Sequence, residues 1–330
     1  MRYVNLHNHS TFSDGRHTPE EIVLAAIEKN MLGIGFSDHS YTDFDPSYCM
    51  LPERFAGYHS TIDALKEKYA GRIGIFKGIE LDYYSEVDPK DFDYRMACVH
   101  YIIVDGVWYP IDHSEQDQRN CIENAFGGDP VAMADRYFEM LCEHVERSKP
   151  TLVGHYDVIT KFNLLPEDSE EYRTIARNAL KRILKTCPYV ELNTGGIARG
   201  FRTMAYPCDY LLDTLRENGG EVMLGADSHN KNKIIFGFDE AVQRLKASGI
   251  ATVMLTGDAE SAAKAVAEEL GIDETYAKLL PHQKLEKLQA VRKQNGAAMF
   301  VGDGINDAPV LAGADVGAAM GSGADAGIEA

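Results

Sequence analysis

The stretch YVNLHNHS at residues 3–10 is the first indication of the fold, because a short apolar run leads there into two histidines. His7 and His9 are alternate residues, and alternate side chains of an extended segment project to the same side. Short apolar runs followed by polar residues recur along the chain and predict further strands. The predicted strands end at Leu6, Asp38, Glu80, His100, His155, Asn193 and Asp227.

Helical patterns lie between these predicted strands. Thr18, Pro19 and Glu21 form a capping signal that predicts the start of a helix. Ser169 predicts the start of another helix, which runs to Leu184. The alternation of strand and helix predicts a parallel α/β architecture. Because seven such repeats precede residue 230, a βα barrel is favoured over an open sheet.

The composition limits the classes of function. A formal net charge of −18 disfavours nucleic acids and anionic membranes as partners. The sequence contains no apolar run of about 18 residues and no signal-peptide pattern at its start. Its six cysteines are scattered, which favours a reducing compartment. We therefore expect a cytoplasmic protein without a nucleic-acid or membrane partner.

Ionisable residues concentrate at the predicted strand ends. In parallel α/β barrels these ends converge on one face, which carries the chemistry. Imidazoles and carboxylates packed there without an ion would leave buried charge unpaired, and mixed nitrogen and oxygen ligands suit zinc, iron or manganese. His17, in the loop with Asp14, is a candidate for lining the mouth. The predicted metal-binding set comprises His7, His9, His39, Glu80, His100, His155, Asp227 and His229.

The motifs at the strand ends resemble those of the polymerase-and-histidinol-phosphatase (PHP) superfamily, in order and spacing, over about residues 1–250. They are His7-Asn8-His9-Ser10, Phe12-Ser13-Asp14-Gly15, Asp38-His39, Gly78-Ile79-Glu80, His100, Gly154-His155 and Asp227-Ser228-His229. The resemblance implies a distorted seven-stranded βα barrel that holds three divalent metal ions: zinc, manganese or iron.

The resemblance also implies which residues bind each metal. The first ion would be held by His7, His9, Glu80 and Asp227. Glu80 would bridge to the second ion, shared with His100 and His155, and the third would be held by Asp14, His39 and His229. We expect Glu80, Asp227 and His229 to be the catalytic residues. A hydroxide bridging two ions would attack phosphorus, and Asp227 or a metal-bound water would protonate the leaving alkoxide.

The stretches at residues 154–157 and 191–194 look most like stand-alone histidinol-phosphatases. This implies hydrolysis of L-histidinol phosphate to L-histidinol and phosphate, in histidine biosynthesis. Arg199 and Lys161 are the candidates for binding the phosphate, with His17 as a further substrate-binding candidate. Two alternatives stay open: a PHP phosphoesterase that acts on another small phosphate ester or a nucleotide, and an inactive metal-binding fusion.

Residues 251–330 carry a second resemblance, to the phosphorylation domain of heavy-metal P-type ATPases, which is HAD-like. It implies that Thr256 and Lys284 contact a phosphoryl group and that Asp303 and Asp307 bind magnesium. The nucleophilic Asp-Lys-Thr-Gly-Thr motif of that family is missing, so an aspartyl-phosphate cycle cannot run. We expect a PHP phosphatase domain at residues 1–250. A partial, non-catalytic HAD-like Rossmannoid segment, with weak magnesium binding at most, is expected at residues 251–330.

Overall fold

A parallel sheet curled into a nearly closed barrel dominates the computed structural model. The structure describes residues 3–247, 253–255, 260–261, 263–264, 274–295, 299–302 and 316–319. The first nine strands are β1 Val4–Asn5, β2 Gly33–Phe36, β3 Gly74–Asp82, β4 Tyr94–Cys98, β5 Tyr101–Val104, β6 Val107–Pro110, β7 Leu152–Val153, β8 Tyr189–Asn193 and β9 Glu221–Gly225. Seven of them form the barrel sheet, in the order β1-β2-β3-β4-β7-β8-β9. All neighbouring pairs are parallel. The prediction of a seven-stranded parallel barrel is confirmed.

The barrel closes between β1 and β9, mainly beyond the ends of these strands. Asn5 bridges the seam with its side chain, which accepts a hydrogen bond from the Ala226 amide at 3.3 Å. Farther along, the His9 amide donates to the Ser228 carbonyl at 2.9 Å, and the Ser228 amide donates to the His7 carbonyl at 3.2 Å. The seam is therefore tightest at the level of the predicted metal ligands.

Helices follow the strands in the expected alternation. Their bounds are α1 Pro19–Glu28, α2 Phe55–Lys68, α3 Glu115–Phe126, α4 Pro130–Ser148, α5 Glu170–Ile183, α6 Gly195–Ala198, α7 Asp209–Glu217, α8 Phe238–Ala247 and α9 Pro281–Asn295. Short 3₁₀ turns lie at Pro52–Arg54, Pro89–Asp91, Val158–Thr160 and Lys231–Lys233. Thr18 and Glu21 form the predicted capping box, and the Ser169 side chain caps α5. None of the described helices is long and apolar enough to cross a membrane.

The barrel interior is filled below its mouth by one aromatic side chain. Tyr94 donates from its hydroxyl to the Leu6 carbonyl at 2.5 Å, across the barrel. A Cβ atom at Gly78 would lie 2.1 Å from the Tyr94 ring, so only glycine fits there. The tyrosine ring thus occupies interior space below the polar side chains at the carboxyl ends of the strands.

An antiparallel hairpin, which the strand prediction missed, projects from the barrel after β4. β5 and β6 pair through Asp105 and Gly106, which have φ values of 51° and 77°. An Asp-Gly pair with two positive φ values is the preferred two-residue hairpin turn. The signal was thus present in the sequence, and the hairpin returns the chain to the barrel mouth.

Within the residues that the structure describes beyond α8, four short strands form two parallel pairs. They are β10 Val253–Leu255, β11 Glu274–Tyr276, β12 Met299–Gly302 and β13 Val316–Ala319, paired as β10–β11 and β12–β13. Lys284, one of the predicted phosphoryl contacts, lies on α9. The predicted phosphate and magnesium residues Thr256, Asp303 and Asp307 lie outside the described residues.

Candidate metal centre

The predicted metal ligands converge on the mouth of the barrel, at the carboxyl ends of the strands. They fall into four overlapping groups, and within each group one ligand atom per residue lies within 4.8 Å of the others. We call His7, His9, Glu80, His100, His155 and Asp227 the interior set. Asp14, His39 and His229 form the rim set, which is more exposed.

Glu80 is the centre of the interior set. It lies in β3 and its side chain is 1 % exposed. Its Oε2 atom lies 3.3 Å from Nε2 of both His7 and His9. Its Oε1 atom lies 2.8 Å from His155 Nε2 and 3.2 Å from His100 Nε2. The two carboxylate oxygens therefore face two different pairs of imidazoles.

Asp227 completes the first of these two groups. Its Oδ1 atom lies 3.2 Å from His9 Nε2 and 3.5 Å from His7 Nε2. The backbone of Asp227 has a φ of 45°, a left-handed conformation that is uncommon for a residue with a side chain. Such conformations persist where the surrounding structure holds them, often at functional sites. Here the conformation accompanies a carboxylate that points into the mouth.

The rim set lies on loops beside the interior set. Asp14 Oδ2 lies 3.0 Å from His229 Nε2, and Asp14 Oδ1 lies 3.9 Å from His39 Nε2. His39 Nδ1 also lies 3.1 Å from Glu80 Oε2, so the two sets are contiguous. The exposed fractions of the Asp14, His39 and His229 side chains are 32 %, 12 % and 28 %.

Several buried ligand atoms have no hydrogen-bond partner within the described residues. They are His7 Nε2, both ring nitrogens of His9, Glu80 Oε2 and His155 Nδ1. Buried polar atoms without partners are costly and uncommon in native proteins. Nitrogen and oxygen ligands packed in this way suit divalent cations of the zinc, manganese or iron type. The residues therefore fit a divalent-metal centre.

The electrostatics of the cluster also suit cation binding. Burial would raise the pKa of Glu80, but the imidazoles of His39, His7 and His100 hold it well below its usual range. Burial likewise opposes the lowered pKa of Asp227, which Arg199 and His7 bring about. Both carboxylates are therefore ionised at neutral pH. Burial lowers the pKa of His39 to about 3, so this imidazole is neutral and can act as a ligand.

Carboxylates behind the interior set orient its histidines, and the sequence reasoning did not assign them this role. Glu191 Oε1 lies 2.6 Å from His7 Nδ1, while its Oε2 accepts from the His155 amide at 2.8 Å. A Cβ atom at Gly225 would lie 1.7 Å from Glu191 Oε1, so glycine makes room for this carboxylate. Asp82 Oδ2 lies 3.2 Å from His100 Nδ1. Carboxylate partners of this kind fix the orientation of metal-binding imidazoles.

Two further residues near the centre were also missed. Cys98 is buried and groups with Glu80, His100 and His155. Asp38 accepts hydrogen bonds from the amides of Ser10 and Ser13, at 2.8 and 3.0 Å, and from both hydroxyls. Asp38 thereby shapes the loop that carries Asp14. A carboxylate inside an otherwise apolar predicted strand was the available signal for Glu191.

The predicted substrate-binding residues surround the same mouth. Arg199 Nη2 lies 2.5 Å from Asp227 Oδ2, and its Nη1 donates to the Asp227 carbonyl at 3.0 Å. The Lys161 ammonium donates to the Asp112 carbonyl. His17 accepts from the Lys231 amide at 3.4 Å through Nδ1, close to the loop of the rim set.

Two family descriptions match the chain. A PHP domain matches residues 5–195, and a haloacid dehalogenase-like hydrolase matches residues 160–315. The barrel and its mouth define a parallel βα-barrel protein with a divalent-metal centre. Because the first match spans more than half of the sequence, the chain belongs to the PHP family. The two matches overlap at residues 160–195, where the structure continues the barrel with α5 and β8.

Relatives of two kinds were found. The copper-exporting P-type ATPase B of Archaeoglobus fulgidus is 39 % identical over 167 residues, 48 % of this chain and 24 % of that protein. A Schizosaccharomyces pombe protein named "Probable histidinol-phosphatase" is 24 % identical over 286 residues, 79 % of this chain and 91 % of its own. The chain spans only 10–24 % of the length of the first copper ATPases that it matches.

Solved structures agree with the barrel fold. A Listeria monocytogenes protein matches with a TM-score of 0.62 and 22 % identity, over 72 % of this chain and 99 % of that one. A histidinol phosphate phosphatase from Lactococcus lactis, in complex with zinc, L-histidinol and phosphate, gives a TM-score of 0.56 and 21 % identity. That match covers 75 % of this chain and 94 % of the other. Both sequence resemblances, to the PHP family and to heavy-metal ATPases, are thus confirmed.

Proposed function

We propose that this chain is a metal-dependent phosphomonoesterase that hydrolyses L-histidinol phosphate to L-histidinol and phosphate. One observation carries the proposal: the two carboxylate oxygens of Glu80 face separate imidazole pairs in a barrel mouth. The related S. pombe protein and the L. lactis structure with L-histidinol and phosphate support the substrate. Histidine biosynthesis is the corresponding setting.

We further propose that the interior set holds two divalent ions, with Glu80 shared between them, and that the rim set holds a third. The zinc in the L. lactis structure supports this class of metal. When bound, such ions lower the pKa of water and neutralise phosphate oxygens, which are the two requirements of ester hydrolysis at neutral pH.

The side chains of the mouth would divide the remaining work. Arg199, held against Asp227, presents a planar guanidinium that can bind a phosphate oxygen pair. Asp227, with Oδ1 toward His7 and His9 and Oδ2 paired with Arg199, would accept a hydrogen bond from the attacking water. Asp227 or a metal-bound water would then protonate the leaving alkoxide. His229 orients the rim set through Asp14. Lys161 and His17 remain candidates for contacts at the edge of the mouth.

A cytoplasmic location without nucleic-acid or membrane partners fits this function. The six cysteines are free and buried, as expected for a reducing compartment. The net charge of −18 supports a small-molecule substrate rather than nucleic acid. For the HAD-like segment we propose no catalysis, because its family's nucleophilic motif is missing from the sequence.

The test is phosphate release by the purified 330-residue protein, loaded with manganese or zinc. We expect the highest kcat/KM with L-histidinol phosphate among a panel that includes p-nitrophenyl phosphate and a nucleoside monophosphate. Glu80→Gln protein, purified in parallel, controls for contaminating phosphatase. Preference for the nucleotide would favour the broader phosphoesterase alternative. Retained metal with no turnover of any ester would favour the inactive metal-binding fusion.

A further inference from the structure

A carboxylate beside the metal centre belongs neither to the proposed metal sites nor to the proposed phosphate site. Asp112 follows the β5–β6 hairpin, which returns the chain to the barrel mouth. The Ile111 amide donates to the His100 carbonyl at 2.9 Å. This hydrogen bond fixes Asp112 next to a residue of the interior set.

The Asp112 side chain is mostly buried, but its carboxylate has few polar partners. It is 25 % exposed, and its Oδ2 atom lies 3.7 Å from the Lys161 ammonium, a loose ion pair. Among the contacts of the described residues, its carboxylate accepts no hydrogen bond. The Lys161 ammonium is itself directed to the Asp112 carbonyl and lies 5.0 Å from the centre of the Phe201 ring. The carboxylate therefore retains unused acceptor capacity beside the mouth.

The position of Asp112 is rigid. Gln118 is fully buried, and its Nε2 atom donates to the Ile111 carbonyl at 3.1 Å and to the Ile159 carbonyl at 2.7 Å. One amide thus ties the segment of Asp112 to the segment that precedes Lys161. A preorganised carboxylate loses little entropy when a ligand binds to it.

The charge of Asp112 acts on residues of the metal centre, next to which the hydrogen bond of Ile111 to His100 places it. Burial works to lower the pKa of His100 and of Arg199, and the charge of Asp112 is among those that raise both values. Burial would raise the pKa of Asp112, but Lys161, His100, His155 and Arg199 lower it. An ionised carboxylate thus lies within electrostatic reach of two interior histidines, His100 and His155, and of the proposed phosphate-binding residue Arg199.

We propose that Asp112 is a specificity-determining residue that binds the protonated amine on the alcohol portion of the phosphate ester. The inference rests on the proposed function, in which the phosphate is bound by cations and the amine is the remaining charge of the substrate. An ionised carboxylate that can still accept hydrogen bonds is complementary to an ammonium group. The same carboxylate would disfavour esters that lack a cation, because binding them would desolvate it without compensation.

Asp112→Asn tests the proposal, with Asp135→Asn, an exposed position on α4, as the matched control. With L-histidinol phosphate we expect kcat/KM of Asp112→Asn to fall about 10- to 100-fold, mainly through KM. With p-nitrophenyl phosphate, which has no amine, kcat/KM should be retained or rise by up to about threefold, because the carboxylate that disfavours this ester is neutralised. Metal content and melting temperature should match the wild type, and Asp135→Asn should be unchanged with both esters.

An equal loss with both esters would assign Asp112 to holding Lys161 in place and would overturn the proposal. No loss with either ester would overturn it as well. If Asp112→Asn fails to fold, Asp112→Glu replaces it. That variant keeps the charge but displaces the acceptor, and it should discriminate between the esters in the same direction.

Calorimetric titration separates this proposal from the proposed function. For the metal-loaded wild type we expect binding of both L-histidinol and inorganic phosphate. Asp112→Asn should weaken L-histidinol binding about 10- to 100-fold and leave phosphate binding within about twofold. This difference would support Asp112 as the amine site even if the wild type did not turn over L-histidinol phosphate. Equal affinity of both proteins for L-histidinol would contradict Asp112 as the amine-binding residue. That result would not contradict the proposed phosphatase activity.

Discussion

The interior set and the rim set of the metal centre are built differently. Interior side chains are at most 10 % exposed and come from strands or the residues that follow them. Rim side chains are 12–32 % exposed, and Asp14 lies in a loop shaped by Asp38. Two interior histidines, His7 and His100, have carboxylate partners in Glu191 and Asp82. The interior set should therefore hold its ions firmly, whereas the rim set should exchange its ion with solvent.

The largest effect is expected from Glu80→Gln. Glutamine keeps the shape of the side chain but cannot present two anionic oxygens to both imidazole pairs. We expect metal to be lost from both interior groups and activity to fall roughly 10³-fold, the range for loss of one essential electrostatic group. Mass spectrometry measures the metal content, and phosphate-release kinetics measure the activity. Full metal content with wild-type rate would contradict the role of Glu80; Glu123→Gln on α3 is the exposed control.

A smaller effect is expected from Glu191→Gln, which tests the orienting carboxylate. Glutamine can still contact His7 but no longer stabilises its Nδ1–H with a charge. Outer carboxylate partners of metal ligands contribute about 10- to 100-fold in affinity or activity. We expect a loss in that range, with both interior ions weakened and the rim ion retained. Competition titration with a chelator measures the affinities. Selective loss of the rim ion would contradict the assignment of Glu191 to the interior set.

Asp14→Asn should act on the rim set alone. Because this side chain is one-third exposed, we expect about tenfold weaker binding of one ion, with the interior ions kept. In the wild type, timed dialysis against a chelator should remove one ion before the other two. Simultaneous release of all three would show that the two sets do not differ in retention.

Asp157 is a buried carboxylate for which burial outweighs the nearby positive charge of Arg202. Burial raises its pKa to about 6, in contrast to the lowered pKa of Glu80. A folded-state pKa above the unfolded value favours folding most below pH 4, and this contribution is lost as the pH rises through 6. The free energy of unfolding of Asp157→Asn should therefore exceed that of the wild type by an amount that grows with pH. We expect the difference to rise from near zero at pH 4 to roughly 3 kcal/mol at pH 8. Urea unfolding across this range checks it; a pH-independent difference would refute the raised pKa.

Much of the barrel could be predicted because apolar runs and helix caps are local signals. The predicted ends at Leu6, Asp38 and Asp227 lie within two residues of the ends of β1, β2 and β9. The β5–β6 hairpin was missed although Asp105 and Gly106 signalled its turn. Hairpin strands in a chain of alternating strands and helices do not stand out by periodicity, and this one positions Asp112.

The candidate site was predictable where residue type alone limits the chemistry. Histidines at successive strand ends have few roles other than metal binding when they converge. Glu191 and Asp82 were not predictable in the same way, because single carboxylates occur in many strands without such a role. Only the structure showed that each lies behind a particular imidazole.

By itself the sequence determined the parallel barrel and the resemblance to two families, because these depend on local pattern and motif order. The metal-binding residues and a boundary near residue 250 stay predictions. The tertiary structure alone decided which charges meet. Arg199 contacts Asp227, 28 positions away, and Lys161 contacts Asp112, 49 positions away. Pairings over such separations depend on how the strands close into a barrel, and no local pattern encodes that distance.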